Sequence, residues 1–233
     1  MLRQESHIAL VLFTRTRAEE ARAKDLSGRR HLRTNSLIAG HLIGHAERTA
    51  RASGLSCFVI DSDHQHGSSF GEKLANAFEE IYALGYSGVI AIGNDCPALT
   101  PGDLQEAAAA LTERPAVIGP AADGGVYLIG LQKQAYDRSR FLALPWATAR
   151  LAAVLYEEYG SIRNGYHICT LRSDIDSAPQ LIHVLSGRRI HLSLMIAIRA
   201  LLASLAARIA RLDADPQACV LRISTGLRAP PAW

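Results

Sequence analysis

The chain has 233 residues, 25 Lys and Arg against 22 Asp and Glu for a formal charge of +3, and a hydrophobic share of 48%. This length suits one domain with an extension, and the apolar share is enough for a sizeable core, which excludes a disordered chain. The charge is small and carries no dense Lys/Arg stripe interleaved with aromatics, so nucleic acid is not an expected partner.

Residues 1–6 are polar and run directly into an apolar segment without the long apolar stretch and small-residue cleavage site of a secretory signal. Cys57, Cys96, Cys169 and Cys219 are widely spaced and form no Cys-x-x-Cys pair, which argues against a zinc ribbon or disulfide framework. A cytoplasmic location is expected.

Residues 7–13 (HIALVLF) form a continuous β-branched and aromatic run, too short for a helix and suited to a strand covered on both faces. A basic, irregular stretch is expected over 14–33. A helical pattern through Leu37, Leu42, Ile43 and Ala50 follows and ends near Gly54. Residues 55–60 (LSCFVI) read as the second strand. The segment 65–74 (QHGSSFGEKL) places a glycine-containing loop before a helix through Leu74, Ala77, Phe78 and Ile81, closed by Gly85. Free backbone N–H groups there favour an anion, with Gly71 and Lys73 as candidate contacts; Lys73 as an ordinary solvated residue is the bland alternative.

Residues 88–92 (GVIAI) read as the third strand, and it ends by presenting Gly93, Asn94 and Asp95 in a loop. Ligands of open α/β sheets bind at these carboxyl ends, so Asp95 is a candidate ligand for Mg²⁺ or Mn²⁺; a turn-capping role is the alternative. Thr100, Pro101 and Asp103 begin a helix through Leu104, Ala107 and Leu111. Strand-like runs at 116–119 and 126–131 flank a turn-rich connector holding Asp123, Gly124 and Gly125, and a hairpin is expected there. Adjacent glycines let a ligand approach the backbone, and Asp123 is the candidate general base. A helix over 148–159, a strand over 166–171 and a helix over 177–185 follow. Asp174 and Asp176 bracket the last connection, either as a second pair of metal ligands or with Asp176 as a helix cap. The Asp61-Ser62-Asp63 loop reads as solvated, and His41 with His45 as a surface or packing pair. Arg15, Arg17, Arg22, Lys24, Arg29 and Arg30 follow the first strand; some could clamp a diphosphate, with Arg15 and Lys24 as the candidates, and a mobile solvated loop is the alternative. The alternation of strands and helices predicts an α/β fold with a mostly parallel sheet.

Taken together, IGNDCPALT, VIGPAADGGVYLIGL, LPWATARL and LRSDIDSAPQL resemble a bacterial glycosyltransferase-A-like family of unknown function, of nucleotide-diphospho-sugar transferase type, over about residues 8–185. The resemblance implies a Rossmann-like nucleotide-binding sheet, with Asp95, Asp174 and Asp176 at a metal site. One departure is that FTRTRAEEARAKDL lacks the proline and glycine of the family's Pro-x-x-Gly-x-x-Lys-Thr-Arg-Leu motif. Related guanylyltransferases of molybdenum-cofactor and deazaflavin-cofactor biosynthesis share the architecture. The fold therefore leaves three readings open. They are glycosyl transfer from a nucleotide-sugar to an unknown acceptor, which is favoured; nucleotidyl transfer from a nucleoside triphosphate; and a non-catalytic nucleotide- or partner-binding module.

The domain is expected to span 1–186, with a helical extension over 187–233. The helix over 188–211 is apolar but interrupted by Arg199, Arg208 and Arg211, and its longest uncharged run is too short to span a membrane. Packing on its own domain or in a homodimer is expected, ahead of contact with a membrane surface.

Overall fold

A computed structural model describes residues 8–28, 31–162, 165–186 and 190–214. The apolar runs become a six-stranded sheet in the order β2-β1-β3-β5-β4-β6, built from β1 (Ile8–Phe13), β2 (Ser56–Ile60), β3 (Gly88–Ile92), β4 (Ala116–Pro120), β5 (Val126–Gln132) and β6 (Tyr166–Ile168). β1 pairs in parallel with β2 and β3, and β4 with β6, whereas β5 runs antiparallel to both β3 and β4. The sheet is mixed because the β4–β5 connector is a hairpin, as its glycines predict, and that reverses one strand.

Helices cover both faces, which explains why β1, β3 and β4 are buried throughout. The alternation along β1 divides the core. Ala9, Val11 and Phe13 pack with α3 (Phe70–Ala83), α5 (Arg138–Ala143) and α6 (Leu151–Gly160), while Ile8, Leu10 and Leu12 face α2 (Leu32–Ala52) and α4 (Pro101–Glu113). α4 begins with the expected capping box: the Thr100 side chain accepts from the Asp103 N–H, and the Asp103 carboxylate accepts from the Thr100 N–H at 2.8 Å.

Residues 14–33 are not irregular throughout. They hold α1 (Arg17–Ala23) and the first residues of α2, so the helix begins earlier than the apolar periodicity suggests. The polar composition of α1 hides it, because its buried residues are only Glu20 and Ala21. The helix expected over 148–159 starts later, at Leu151, and the strand over 166–171 is confined to Tyr166–Ile168. α7 (Ala178–Ser186) lies where expected, and α8 (Leu192–Ala214) packs Leu194 and Ile198 with Ile38 and Leu42 of α2 and Leu181 and Leu185 of α7. Over Leu192–Arg211, α8 is long and apolar enough to cross a membrane by length and composition, its three arginines notwithstanding.

Candidate active site

The carboxyl ends of β1 and β3 and the β4–β5 hairpin open onto a cavity of about 680 Å³, whose walls include Arg15, Lys24, Lys73, Asn94, Asp95, Asp123, Gly125, Asp174 and Asp176. Local backbone pattern explains how the acids converge. Asp174 and Asp176 flank Ile175, which is 1% exposed and whose N–H donates to the Asp95 carbonyl at 2.9 Å. Ile175 is fixed inward, and its neighbours Asp174 and Asp176 both line the cavity. Asp123 is presented by the hairpin, its Oδ1 accepting from the Gly125 N–H at 2.8 Å. Gly124 has φ of 90° and lies against the Ala149 carbonyl so closely that a Cβ would collide with it.

Asp123, Asp174 and Asp176 each bring a carboxylate oxygen within 4.8 Å of the others. Burial first, and then the charges of Asp123, Asp95 and Asp176, push the Asp174 carboxyl up to about 6. Asp95 lies outside that triad of oxygens. Its Oδ2 accepts from the Lys24 ammonium at 3.1 Å, and the same ammonium reaches Asp176 Oδ1 at 2.8 Å, Glu20 Oε1 at 3.1 Å and the Ile175 carbonyl at 3.0 Å. Burial of Lys24 opposes its charge, but Asp95, Glu20 and Asp176 outweigh burial and hold its proton more tightly than usual.

Glu20, 2% exposed, anchors this network from α1 by binding Lys24 one turn on and Arg15 Nη1 at 2.9 Å. Burial raises the Glu20 carboxyl, but Lys24 and Arg15 prevail and lower it. Asn94 is buried as well. Its Oδ1 accepts from the Thr14 hydroxyl at 2.9 Å, tying the β1 loop to the β3 loop.

The remaining candidates separate. Lys73 lines the cavity and no ion pair is found for it among the described residues. Gly71 does not line it, being covered by Trp146, whose Cδ1 would come within 2.6 Å of a Cβ at that position. Gly124 shapes the hairpin behind Asp123, and the backbone of Gly125 reaches the wall. Arg17 turns away to the Ser36 carbonyl at 2.6 Å. Arg29 and Arg30 lie outside the described residues. Asp61 accepts from His64 at 2.7 Å in the loop after β2, and His45 meets the Pro97 carbonyl at 3.0 Å, a packing role.

Glu20, Phe70 and Trp146 also line the cavity, although none of them stood out in the sequence. The spacing of Glu20 to Lys24 on one helix face was the available signal for the first. Trp146, inside the segment LPWATARL, carried none by spacing.

The arrangement gathers hard oxygen donors of the kind Mg²⁺ and Mn²⁺ prefer, beside fixed positive charge, on a cavity large enough for a nucleotide. A protein of Desulfovibrio desulfuricans G20, provisionally named a nucleotide-diphospho-sugar transferase, superposes with a TM-score of 0.73 at 20% identity, covering 85% of this chain and 97% of that one. At that identity the likeness shows the fold. More distant are Rv0371c of Mycobacterium tuberculosis H37Rv in complex with manganese (TM-score 0.44, 14% identity, 77% and 98% covered) and CMP:2-keto-3-deoxy-manno-octonic acid synthetase complexed with CTP (0.42, 12%, 76% and 96%). No curated protein matches the chain in sequence. The family described as "Uncharacterized protein conserved in bacteria (DUF2064)" matches residues 20–148, and the chain belongs to it.

Proposed function

We propose that the chain is a metal-dependent transferase taking a nucleotide-diphospho-sugar as donor, with Asp123, Asp174 and Asp176 as the ligands of Mg²⁺ or Mn²⁺. The observation that carries this reading is the approach of three carboxylate oxygens to within 4.8 Å of one another on the wall of the strand-end cavity. When bound, the cation would neutralise diphosphate oxygens as the bond to the sugar breaks. Lys24 fixes Asp95 and Asp176 in place and lends positive charge to the rim. Arg15 and Lys73 line the same cavity and in this reading would receive phosphate oxygens. In this reading Asp123 serves as a ligand instead of the general base, since a carboxylate shared with a cation is a poor proton acceptor.

Nucleotidyl transfer is the competing reading. The cations Arg15 and Lys73 on the cavity wall favour it, because a departing pyrophosphate carries more charge than the nucleoside diphosphate that leaves in glycosyl transfer. Incubation with Mn²⁺ and either a nucleotide-sugar panel or nucleoside triphosphates with sugar phosphates, followed by anion-exchange chromatography, separates the two. Release of nucleoside diphosphate, lost in Asp174→Asn, is the expected result. Pyrophosphate release would transfer the assignment to nucleotidyl chemistry, and no product from any donor would overturn both.

A further inference from the structure

The cavity has a second kind of wall that neither the carboxylates nor the cations account for. Phe70, the first residue of α3, lines it with 48% of its surface exposed. Its ring is not loose. Phe13 meets it edge-on at 5.7 Å between centroids, and Trp146 leans against it at 5.6 Å. Trp146 is itself held: its indole N–H donates to the Phe141 carbonyl at 2.8 Å, the Phe141 ring lies 4.7 Å away, and only a glycine at position 71 leaves room for it. Ala147, next along the chain, has φ of 57°, a left-handed conformation that costs energy for a residue with a Cβ, and it too lines the cavity. A rigid aromatic step, braced from behind and facing the cavity, is thus maintained against the cost of exposing it to water.

Building on the transferase reading above, we propose that the Phe70–Trp146 step is the nucleobase subsite, where the base of the bound nucleotide stacks while its phosphates reach toward the carboxylates. A flat π-face is what such a step recognises; stacking of this kind tolerates different bases and depends on no single hydrogen bond. The step therefore supplies affinity for a nucleotide as a class.

Calorimetry with Mg²⁺ tests it, comparing ATP, CTP, GTP, UTP, their diphosphates, one nucleotide-sugar of the preferred base and inorganic tripolyphosphate on wild type, Phe70→Ala, Phe70→Tyr and Asp174→Asn. Phe70→Ala is expected to weaken the preferred nucleotide about tenfold or more while leaving tripolyphosphate unchanged, and Phe70→Tyr to restore it. Equal loss of nucleotide and tripolyphosphate, or no loss, would overturn the proposal. So would a loss confined to the nucleotide-sugar, since the stacked ring would then be the sugar. Wild type that binds tripolyphosphate through Asp174 but gains nothing from a base sinks the subsite alone. Wild type that binds none of these ligands sinks the subsite together with the transferase reading.

Discussion

Asp174 is where stability and proposed function pull apart. Burial and three neighbouring carboxylates keep its carboxyl up near 6, so ionising it at neutral pH costs the folded protein energy that the unfolded chain does not spend. Asp174→Asn is accordingly expected to stabilise the metal-free protein at pH 7 by about 1–2 kcal/mol after solvent screening, and to abolish any rise in melting temperature on adding Mn²⁺. Thermal melts of both proteins with and without metal check this; a variant that melts lower without metal would contradict it. Glu20 has the opposite sign. Its carboxyl lies below the ordinary 4.5, so its contribution is full near neutral pH and is lost as pH falls through its lowered value. The stability advantage of wild type over Glu20→Gln should shrink on acidification and vanish below that value, as urea titrations at several pH values would show. Lys24→Met leaves Glu20 buried with only Arg15 as a charged partner and is expected to cost about 3 kcal/mol. The acidic residues after strand-like runs were legible in the sequence because such loops must lie at one sheet edge. That Asp123 joins Asp174 and Asp176, while Asp95 turns to Lys24, was not, since it depends on a β4–β5 hairpin folding over loops distant in sequence.

Among the elements, α4 and the segment before α7 are locked together. Arg172 Nη2 donates to Asp103 Oδ1 at 2.6 Å, and the same carboxylate, through Oδ2, closes the capping box with Thr100. Asp103→Ala removes the box and leaves Arg172, whose side chain is only 10% exposed, without its charge partner, so a loss of about 2–4 kcal/mol is expected in chemical denaturation. The capping box was readable from Thr-Pro-Gly-Asp, because such caps are local. The arginine completing it lies 69 positions away in sequence, and no local rule predicts that meeting. α1 escaped detection for the opposite reason: its inward face holds a glutamate serving an ion network, so apolar periodicity is absent where a helix is present. α8 contributes its apolar side to the cluster around Ile38 and Leu42. Ile198→Ala, at a fully buried position, is expected to cost about 2–5 kcal/mol, whereas Ile196→Ala, 57% exposed, should be near neutral.

At the scale of the whole molecule, strand and helix alternation was enough to place the sheet, and the fully buried strands follow from helices on both faces. The reversal of β5 was legible in the glycine-rich connector and not in the alternation; it makes the sheet mixed and carries the Asp123 hairpin to the strand-end cavity. Fold and candidate site are therefore linked by one topological feature. The transferase reading requires that the converging carboxylates bind a cation that in turn binds a nucleoside diphosphate. The most direct measurement is calorimetric titration of nucleoside diphosphates into wild type and Asp176→Asn, each with and without Mn²⁺. Binding that requires Mn²⁺ in wild type and is lost in Asp176→Asn is the predicted result. Binding indifferent to Mn²⁺, or undiminished in Asp176→Asn, would contradict it.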